Sequence, residues 1–298
     1  MKKRIFVVAN PGAGHKKIEE VLRELVDFAS SKDYDYDVFL TAKNRNALKT
    51  VKENFEEEHS DLIVLGGDGT LNEAINGLTL DRPVGIVPCG SANDFCKNIK
   101  VGQTIEQQIQ TAIAGKKIQI DLGICNDRKF VNGVGVGFDG QIVAEIANST
   151  RNLKGPIKYY YHVIRILASY RSKLTTYHFD EVNESKKLLL LTVANGTTFG
   201  GGFKLNPSAK IDDGLLDVCV IEKINPILRF WNIPRLKSGS HTRLKKVKVY
   251  QTTEVKIDEQ PLLNAHIDGE LVGHPPLHIK VLPKALTIRV QGSGKSGV

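Results

Sequence analysis

Cysteine is scarce in this chain, and the four present, Cys89, Cys96, Cys125 and Cys219, form no Cys-x-x-Cys pair. That excludes a disulfide-stapled scaffold and the usual zinc-ribbon spacings, and it reads as reduced thiols in a cytosolic protein. The eight histidines show no His-Glu-x-x-His spacing, so zinc hydrolase chemistry has no support. No apolar run approaches the ~20 residues needed to span a bilayer. The basic start, Met1-Lys2-Lys3-Arg4, leads into an apolar run that stops at Asn10-Pro11. That run is too short for a signal peptide and reads as a first strand. Gly-x-x-x-x-Gly-Lys-[Ser/Thr] is absent, and the first strand-to-helix turn lacks Gly-x-Gly-x-x-Gly, so neither a P-loop enzyme nor hydride transfer is suggested. No RRM, KH or helix-turn-helix module is visible either, so nucleic acid is not an expected partner.

What is present is a soluble globular composition, 41% hydrophobic and 25% charged, over 298 residues. That length exceeds what one hydrophobic core usually serves and implies two domains, with a boundary near residue 122. The net charge is +8 and is unevenly placed. Lys223 to Tyr250 holds eight Lys/Arg and no acid, and a second acid-free stretch, Arg151 to Lys173, holds six more. Such patches attract anionic partners: a membrane surface, nucleic acid or phosphorylated substrates.

The first half alternates strand and helix. Arg4–Asn10, Tyr36–Leu40, Asp61–Leu65, Val84–Val87 and Lys117–Asp121 read as strands. Lys16–Ser30, Arg45–Glu58, a stretch from Leu71 and Thr104–Ala114 read as helices, the first placing Ile18, Val21, Leu22, Leu25, Val26 and Ala29 on one face. This βαβ alternation implies a doubly wound parallel sheet, which binds ligands beyond the carboxyl ends of its strands. Three strand ends there carry small, Gly-rich turns, at Asn10-Pro11-Gly12-Ala13-Gly14, Gly66-Gly67-Asp68-Gly69-Thr70 and Pro88-Cys89-Gly90-Ser91-Ala92-Asn93-Asp94. A glycine turn opening a helix aims backbone N–H groups at a phosphate. Asp68 can hold a divalent ion, and Thr70 can cap the helix or donate to a phosphate oxygen. The three loops together point to a nucleotide phosphate and Mg²⁺.

Gly-Gly-Asp-Gly-Thr-Leu-Asn-Glu at 66–73, followed about 20 residues later by Pro-x-Gly-Ser-x-Asn-Asp-Phe, resembles the diacylglycerol kinase catalytic-domain family. The family includes soluble bacterial lipid kinases and sphingosine and ceramide kinases, and is related more distantly to NAD kinases. The resemblance implies an NAD kinase-like α/β domain and an ATP site built from Asn10, Pro11, Gly12, Ala13, Gly14, Thr41, Gly66, Gly67, Asp68, Gly69, Thr70, Leu71, Asn72, Glu73 and Ser91. Asn93 and Asp94 stand beside Ser91, with Asp94 near Asp68 for Mg²⁺. The acceptor it implies is a lipid hydroxyl, that of diacylglycerol or a relative. NAD phosphorylation and a non-catalytic ATP- and lipid-binding regulator are the alternatives.

After Asp121 the pattern changes. Lys129–Val136 reads as one strand, followed by helices around Gln141–Ala147 and Ile157–Ser169. Strands then dominate: Leu174–Val182, Lys187–Ala194, Leu215–Ile221, Lys246–Tyr250, Glu254–Ile257, His266–Asp268, Leu277–Val281 and Leu286–Val290. Runs of strands imply a β-rich sandwich over 123–282, with the last strand, about 283–298, able to return to the first domain. An exposed edge there could pair two copies into a homodimer.

Two acidic clusters stand out. The turn Lys210-Ile211-Asp212-Asp213-Gly214-Leu215 reads as solvated turn formers; the resemblance instead implies a structural Mg²⁺ held by Asp213 and the main-chain oxygens of Lys210 and Leu215. Asp268-Gly269-Glu270 is either a hairpin turn or part of a strand on which His266, Asp268 and Glu270 share one face. The resemblance makes Glu270 the general base. A short helix opened by Asn225-Pro226 carries Ile227, Leu228, Phe230, Trp231 and Ile233 beside Arg229 and Arg235. Trp231 is either core or a membrane-interface residue. The implied location is cytoplasmic, peripheral at the inner membrane surface.

Overall fold

The computed structural model describes residues 2–13, 18–41, 46–149, 155–260 and 262–292, and only the backbone of 155–160. Gly14, Arg151 and Lys154 lie outside the described residues, as does the side chain of Lys158. The chain divides into two compact units, 1–120 with 284–298, and 121–283.

The first unit runs β1 (Arg4–Ala9), α1 (Ile18–Ser31), β2 (Asp35–Leu40), α2 (Ala47–Asn54), β3 (Asp61–Gly66), α3 (Asp68–Gly77), β4 (Val84–Pro88), a 3₁₀ turn at Phe95–Asn98, α4 (Ile105–Ala114) and the start of β5 (Lys116–Cys125). β1 pairs in parallel with both β2 and β3, and β3 with β4. β1, β3 and β4 are apolar and buried along almost their whole length, because helices cover both faces of the sheet. α1 turns Ile18, Val21, Leu25 and Ala29 inward, as its spacing predicts. α4 starts at a capping box, with the Thr104 hydroxyl accepting from the amide of Gln107. Because β1 lies between β2 and β3, the chain passes from β1 to β2 on one side and from β3 to β4 on the other, so the loops after β1 and β3 diverge at a topological switch point.

The second unit continues with β6 (Arg128–Phe130), β7 (Gly133–Gly137), α5 (Phe138–Ala147), α6 (Gly155–Ser169), β8 (Lys173–Phe179), β9 (Val182–Ala194), β10 (Leu216–Glu222), α7 (Pro226–Ser238), β11 (Val247–Thr252), β12 (Glu254–Ile257), β13 (Ala265–Ile267), β14 (Glu270–Gly273) and β15 (Leu277–Val290). β9 is its spine, antiparallel to β8 through its first half and to β7 and β10 through its second. Phe130, Tyr177, Val193, Val218 and Ile279 fill one core; Ile166, Tyr170, Phe199 and Ile221 fill another that includes residues of α5 and α6.

Besides shifted ends, such as α2 stopping at Asn54 and β5 running on to Cys125, four elements differ from the sequence expectation. Lys129–Val136 is not one strand: it breaks at Val131-Asn132, where the Asp268 carboxylate accepts from the amides of Val131, Asn132 and Gly133 at 2.9–3.0 Å. Val182 opens β9 instead of ending β8, because the chain reverses at Asp180, which adopts φ 45°. Leu277–Val281 and Leu286–Val290 form one strand, β15, whose distal end is parallel to β4. There the Arg289 guanidinium meets buried Asp61 at 2.5 Å, an ion pair internal to the first unit. Finally, His266, Asp268 and Glu270 do not share a strand face. Asp268 (φ 47°) and Gly269 (φ 84°) form a two-residue hairpin turn between β13 and β14, with Ile267 opposite Glu270.

Candidate active site

The Gly-rich loops of the first unit are cross-tied. Asn10, just past β1, donates from Nδ2 to Thr70 Oγ1 at 3.1 Å, while its Oδ1 accepts from the Gly12 amide at 2.9 Å and its carbonyl from Ala13 at 3.0 Å. One side chain thus shapes its own loop and clamps it to the start of α3. The loops after β3 and β4 are joined by Asp68, whose two carboxylate oxygens accept the amides of Asp94 (2.9 Å) and Phe95 (3.0 Å). Asn93, at φ 47°, closes its loop by bonding both the amide and the carbonyl of Gly90.

Glycine is required where these loops touch. A Cβ on Gly66 would stand 2.5 Å from Thr70 Cβ, and one on Gly90 would stand 2.5 Å from Gly67 Cα. The helix that follows has no side-chain cap: Gly67 is its N-cap, and its carbonyl accepts from Leu71 at 3.0 Å. A helix start built this way presents main-chain N–H donors with a partial positive charge.

The remaining residues expected at the nucleotide divide by burial. Pro11, Gly12 and Ser91 are exposed. Thr41, past the end of β2, is buried, and its hydroxyl has no hydrogen-bond partner among the described residues. Leu71 and Asn72 are buried in the frame of α3, and Glu73 Oε2 accepts the Ala47 amide at 3.0 Å, capping α2. Asp94 is buried, with its carboxylate 2.5 Å from Lys97 Nζ.

In the second unit, Glu270 opens β14 and its Oε2 lies 2.5 Å from Arg128 Nη2. Beside it, the Gly269 amide donates to His266 Nδ1 at 3.2 Å, which leaves the ring proton on Nε2, 3.2 Å from Asp139 Oδ2. Near Asp139, burial pushes the Tyr170 hydroxyl pKa well up, and Asp139 adds to the shift. Arg128 and the His266–Asp139 pair were not singled out for a role by sequence; their partners are more than a hundred residues away, beyond any local pattern.

The Asp213 turn is held from beneath. Gly214 adopts φ 75°, its amide donates to buried Asp121 at 2.6 Å, and the Asp121 amide donates to the Ile211 carbonyl at 2.6 Å. Asp213 Oδ1 accepts from Leu215 N at 3.1 Å. Among the described residues, the side chains of Asp37, Glu58 and His59 also cluster closely enough for one ion. Arg4 already bridges Asp37 (2.7 Å) and Glu58 (2.5 Å), so this group is an ion-pair network. No described helix is long and apolar enough to cross a membrane.

Residues 4–125 match the diacylglycerol kinase catalytic domain, and 132–290 match the YegS C-terminal NAD kinase beta sandwich-like domain. A diacylglycerol kinase of Staphylococcus epidermidis is 28% identical over 292 residues, covering 97% of this chain and 92% of that protein. A candidate diacylglycerol kinase from Bacillus anthracis superposes with a TM-score of 0.80 at 25% identity, covering 98% of each chain. An NAD kinase from Archaeoglobus fulgidus, solved in complex with ATP, shares the fold at a TM-score of 0.53 and 13% identity, covering 96% of this chain and 93% of its own. With its α/β first unit, β-rich second unit and cross-tied glycine loops, the chain belongs to the diacylglycerol kinase catalytic-domain family of lipid kinases.

Proposed function

We propose that the protein transfers the γ-phosphate of ATP, with Mg²⁺, to the hydroxyl of diacylglycerol or a related lipid. The observation that carries this reading is the loop cluster at the switch point, where Asn10 ties to Thr70 and Asp68 ties to Asp94 and Phe95 around an uncapped helix start. Main-chain N–H groups of Gly67 to Thr70 and of the Gly12 loop would hold the phosphates, as an anion at a helix N-terminus requires. The buried hydroxyl of Thr41, unpartnered among the described residues, fits a nucleotide contact, since such a group is otherwise costly.

The donors fit Mg²⁺ as well. Asp68 is oriented by two amides, and Asp94, on the loop after β4, is the residue whose amide it accepts, so two carboxylates meet where these loops join. A bound Mg²⁺ would supply charge neutralisation on the phosphates. Glu270, oriented by Arg128, takes the proton of the acceptor hydroxyl, and the hydroxyl's own oxygen bonds to the γ-phosphorus as the bond to ADP breaks. The Asp213 turn, with the carbonyls of Lys210 and Leu215, offers the hard oxygen set that suits a second, structural Mg²⁺. The same reading puts the protein in the cytoplasm with transient contact to an anionic membrane surface.

ADP release decides the acceptor class. Purified protein is given ATP and Mg²⁺ with diacylglycerol, phosphatidylglycerol, ceramide or sphingosine in mixed micelles, and with NAD separately. Turnover on one lipid is expected. Turnover with NAD alone would favour an NAD kinase-like activity, the reading the shared fold keeps open.

A further inference from the structure

Helix α7 is built inside out. Its sequence is Pro-Ile-Leu-Arg-Phe-Trp-Asn-Ile-Pro-Arg-Leu-Lys-Ser, and the residue it buries is Arg229. Among the described residues that guanidinium has no carboxylate partner; it donates from Nε to the Ile224 carbonyl (3.0 Å) and from Nη1 to those of Leu167 (3.0 Å) and Tyr170 (2.9 Å). Leu167 lies in the last turn of α6 and Tyr170 just past it, so the cation sits where helix carbonyls are unpaired and the dipole is negative. The arginine therefore pins α7 to the unit. Leu236, two turns on, packs against the second core, but four apolar residues are left in water: Trp231 is 78% exposed, Ile227 69%, Leu228 54% and Phe230 39%. Ile227 and Trp231 are four apart and share a face, with Leu228 beside them.

A helix that buries its cation and presents isoleucine, leucine and tryptophan to water has an outward apolar face in need of a partner. The charge around it selects one. Lys223 precedes the helix, and Lys246 donates to its carbonyl at 3.0 Å, so both ends of the acid-free 223–250 segment meet beside the N-cap. Arg235, Lys237, Arg243 and Lys245 are exposed along the same segment. Two copies meeting here would press like charges together, whereas anionic lipid headgroups complement them.

We propose that α7 is a membrane-docking wedge: Ile227, Leu228 and Trp231 enter the headgroup–acyl boundary of an anionic bilayer while the surrounding Lys and Arg hold lipid phosphates. The lipid-kinase reading supplies its purpose, but its test does not need turnover. Trp231 is the one tryptophan of the chain, so its fluorescence reports this helix alone.

Full-length protein is mixed with vesicles of phosphatidylcholine, or of phosphatidylcholine and phosphatidylglycerol in equal parts, and followed by cosedimentation and by Trp231 emission. The expected result is binding to the anionic vesicles, a blue shift of Trp231 and quenching by brominated acyl chains. Leu228→Ser should weaken partitioning about tenfold, and Lys245→Glu with Lys246→Glu at least as much. Thermal melts check that each variant is folded. Leu228→Ser should leave turnover of a monomeric short-chain diacylglycerol unchanged and lower it on vesicles; absence of turnover in the wild type with docking intact would fail the kinase reading alone. Vesicle binding without change in Trp231 emission, or equal binding by the variants, would overturn the wedge. So would a lipid-free dimer dispersed by Leu228→Ser, which would make the face a contact between copies.

Discussion

Gly67 and Gly90 meet main chain to main chain: a Cβ built on Gly90 would stand 2.5 Å from the Gly67 Cα, and one on Gly67 would stand 3.0 Å from the Gly90 Cα. The contact lets the loops after β3 and β4 lie together. Since the obstacle is backbone, it cannot rotate away. Gly90→Ala should therefore destabilise the first unit by about 1–3 kcal/mol and weaken ATP binding more than a surface change of equal cost. Urea unfolding with and without nucleotide checks both; an unchanged midpoint would show that the loops can separate freely.

Asp68 joins the same loops through charge. Replacing it with Asn puts an NH₂ group against the amide of either Asp94 or Phe95 and removes the charge from both bonds. Each such charge-assisted bond contributes about 1.5–3 kcal/mol. Asp68→Asn should lower both thermal stability and Mg²⁺-dependent turnover. Isothermal titration with ATP, with and without Mg²⁺, separates the roles: if Asp68 holds the ion, the mutant loses the Mg²⁺ enhancement of ATP affinity.

The ion pair between Arg128 and Glu270 gives a second handle. A general base contributes typically 10²–10⁴-fold, so Glu270→Gln should fold normally and lose about that much kcat. Arg128→Ala should lower kcat by a smaller factor, about tenfold, leave the KM for ATP unchanged, and be partly restored in Arg128→Lys. Steady-state kinetics on the three variants tests this order, and a raised KM for ATP in Arg128→Ala would place the arginine at the nucleotide instead.

His241 predicts an acid-labile second unit. The ring is buried against Cys219 and its Nε2 donates to the Leu205 carbonyl at 3.1 Å. Burial pushes its pKa below the ordinary value of 6.5. A group depressed in the folded state gives stability that is whole above its unfolded pKa and is lost as pH falls through the folded one. Stability should therefore fall as pH drops below about 6.5, and His241→Gln should flatten that part of the curve. Chemical denaturation between neutral and mildly acid pH measures it; parallel curves for the two proteins would assign the acid loss to other groups.

The sequence carried the local features well. Strand–helix alternation, the glycine turns and the face of α1 each depend on neighbours within a few residues. The Asp268-Gly269 hairpin was also a local signal, and left-handed φ at both positions fulfilled it over the shared-strand alternative. What the sequence could not carry is the wiring between distant elements. Asn10 reaches Thr70, Asp68 reaches Asp94, Asp121 reaches Gly214 and Arg128 reaches Glu270. The break at Val131-Asn132 follows from Asp268, a residue in another hairpin. In α7 the helical period was legible but its direction was not, because the distant carbonyls at the end of α6, together with that of Ile224, hold Arg229 inward.

The most direct test of the account follows the phosphate itself. Purified protein is incubated with γ-labelled ATP, Mg²⁺ and diacylglycerol in mixed micelles, with Glu270→Gln in parallel, and the lipid phase is extracted and resolved. The account predicts label in a phosphorylated lipid for the wild type and loss of nearly all of it in the mutant. Label confined to the aqueous phase, or equal lipid labelling by the two proteins, would contradict it.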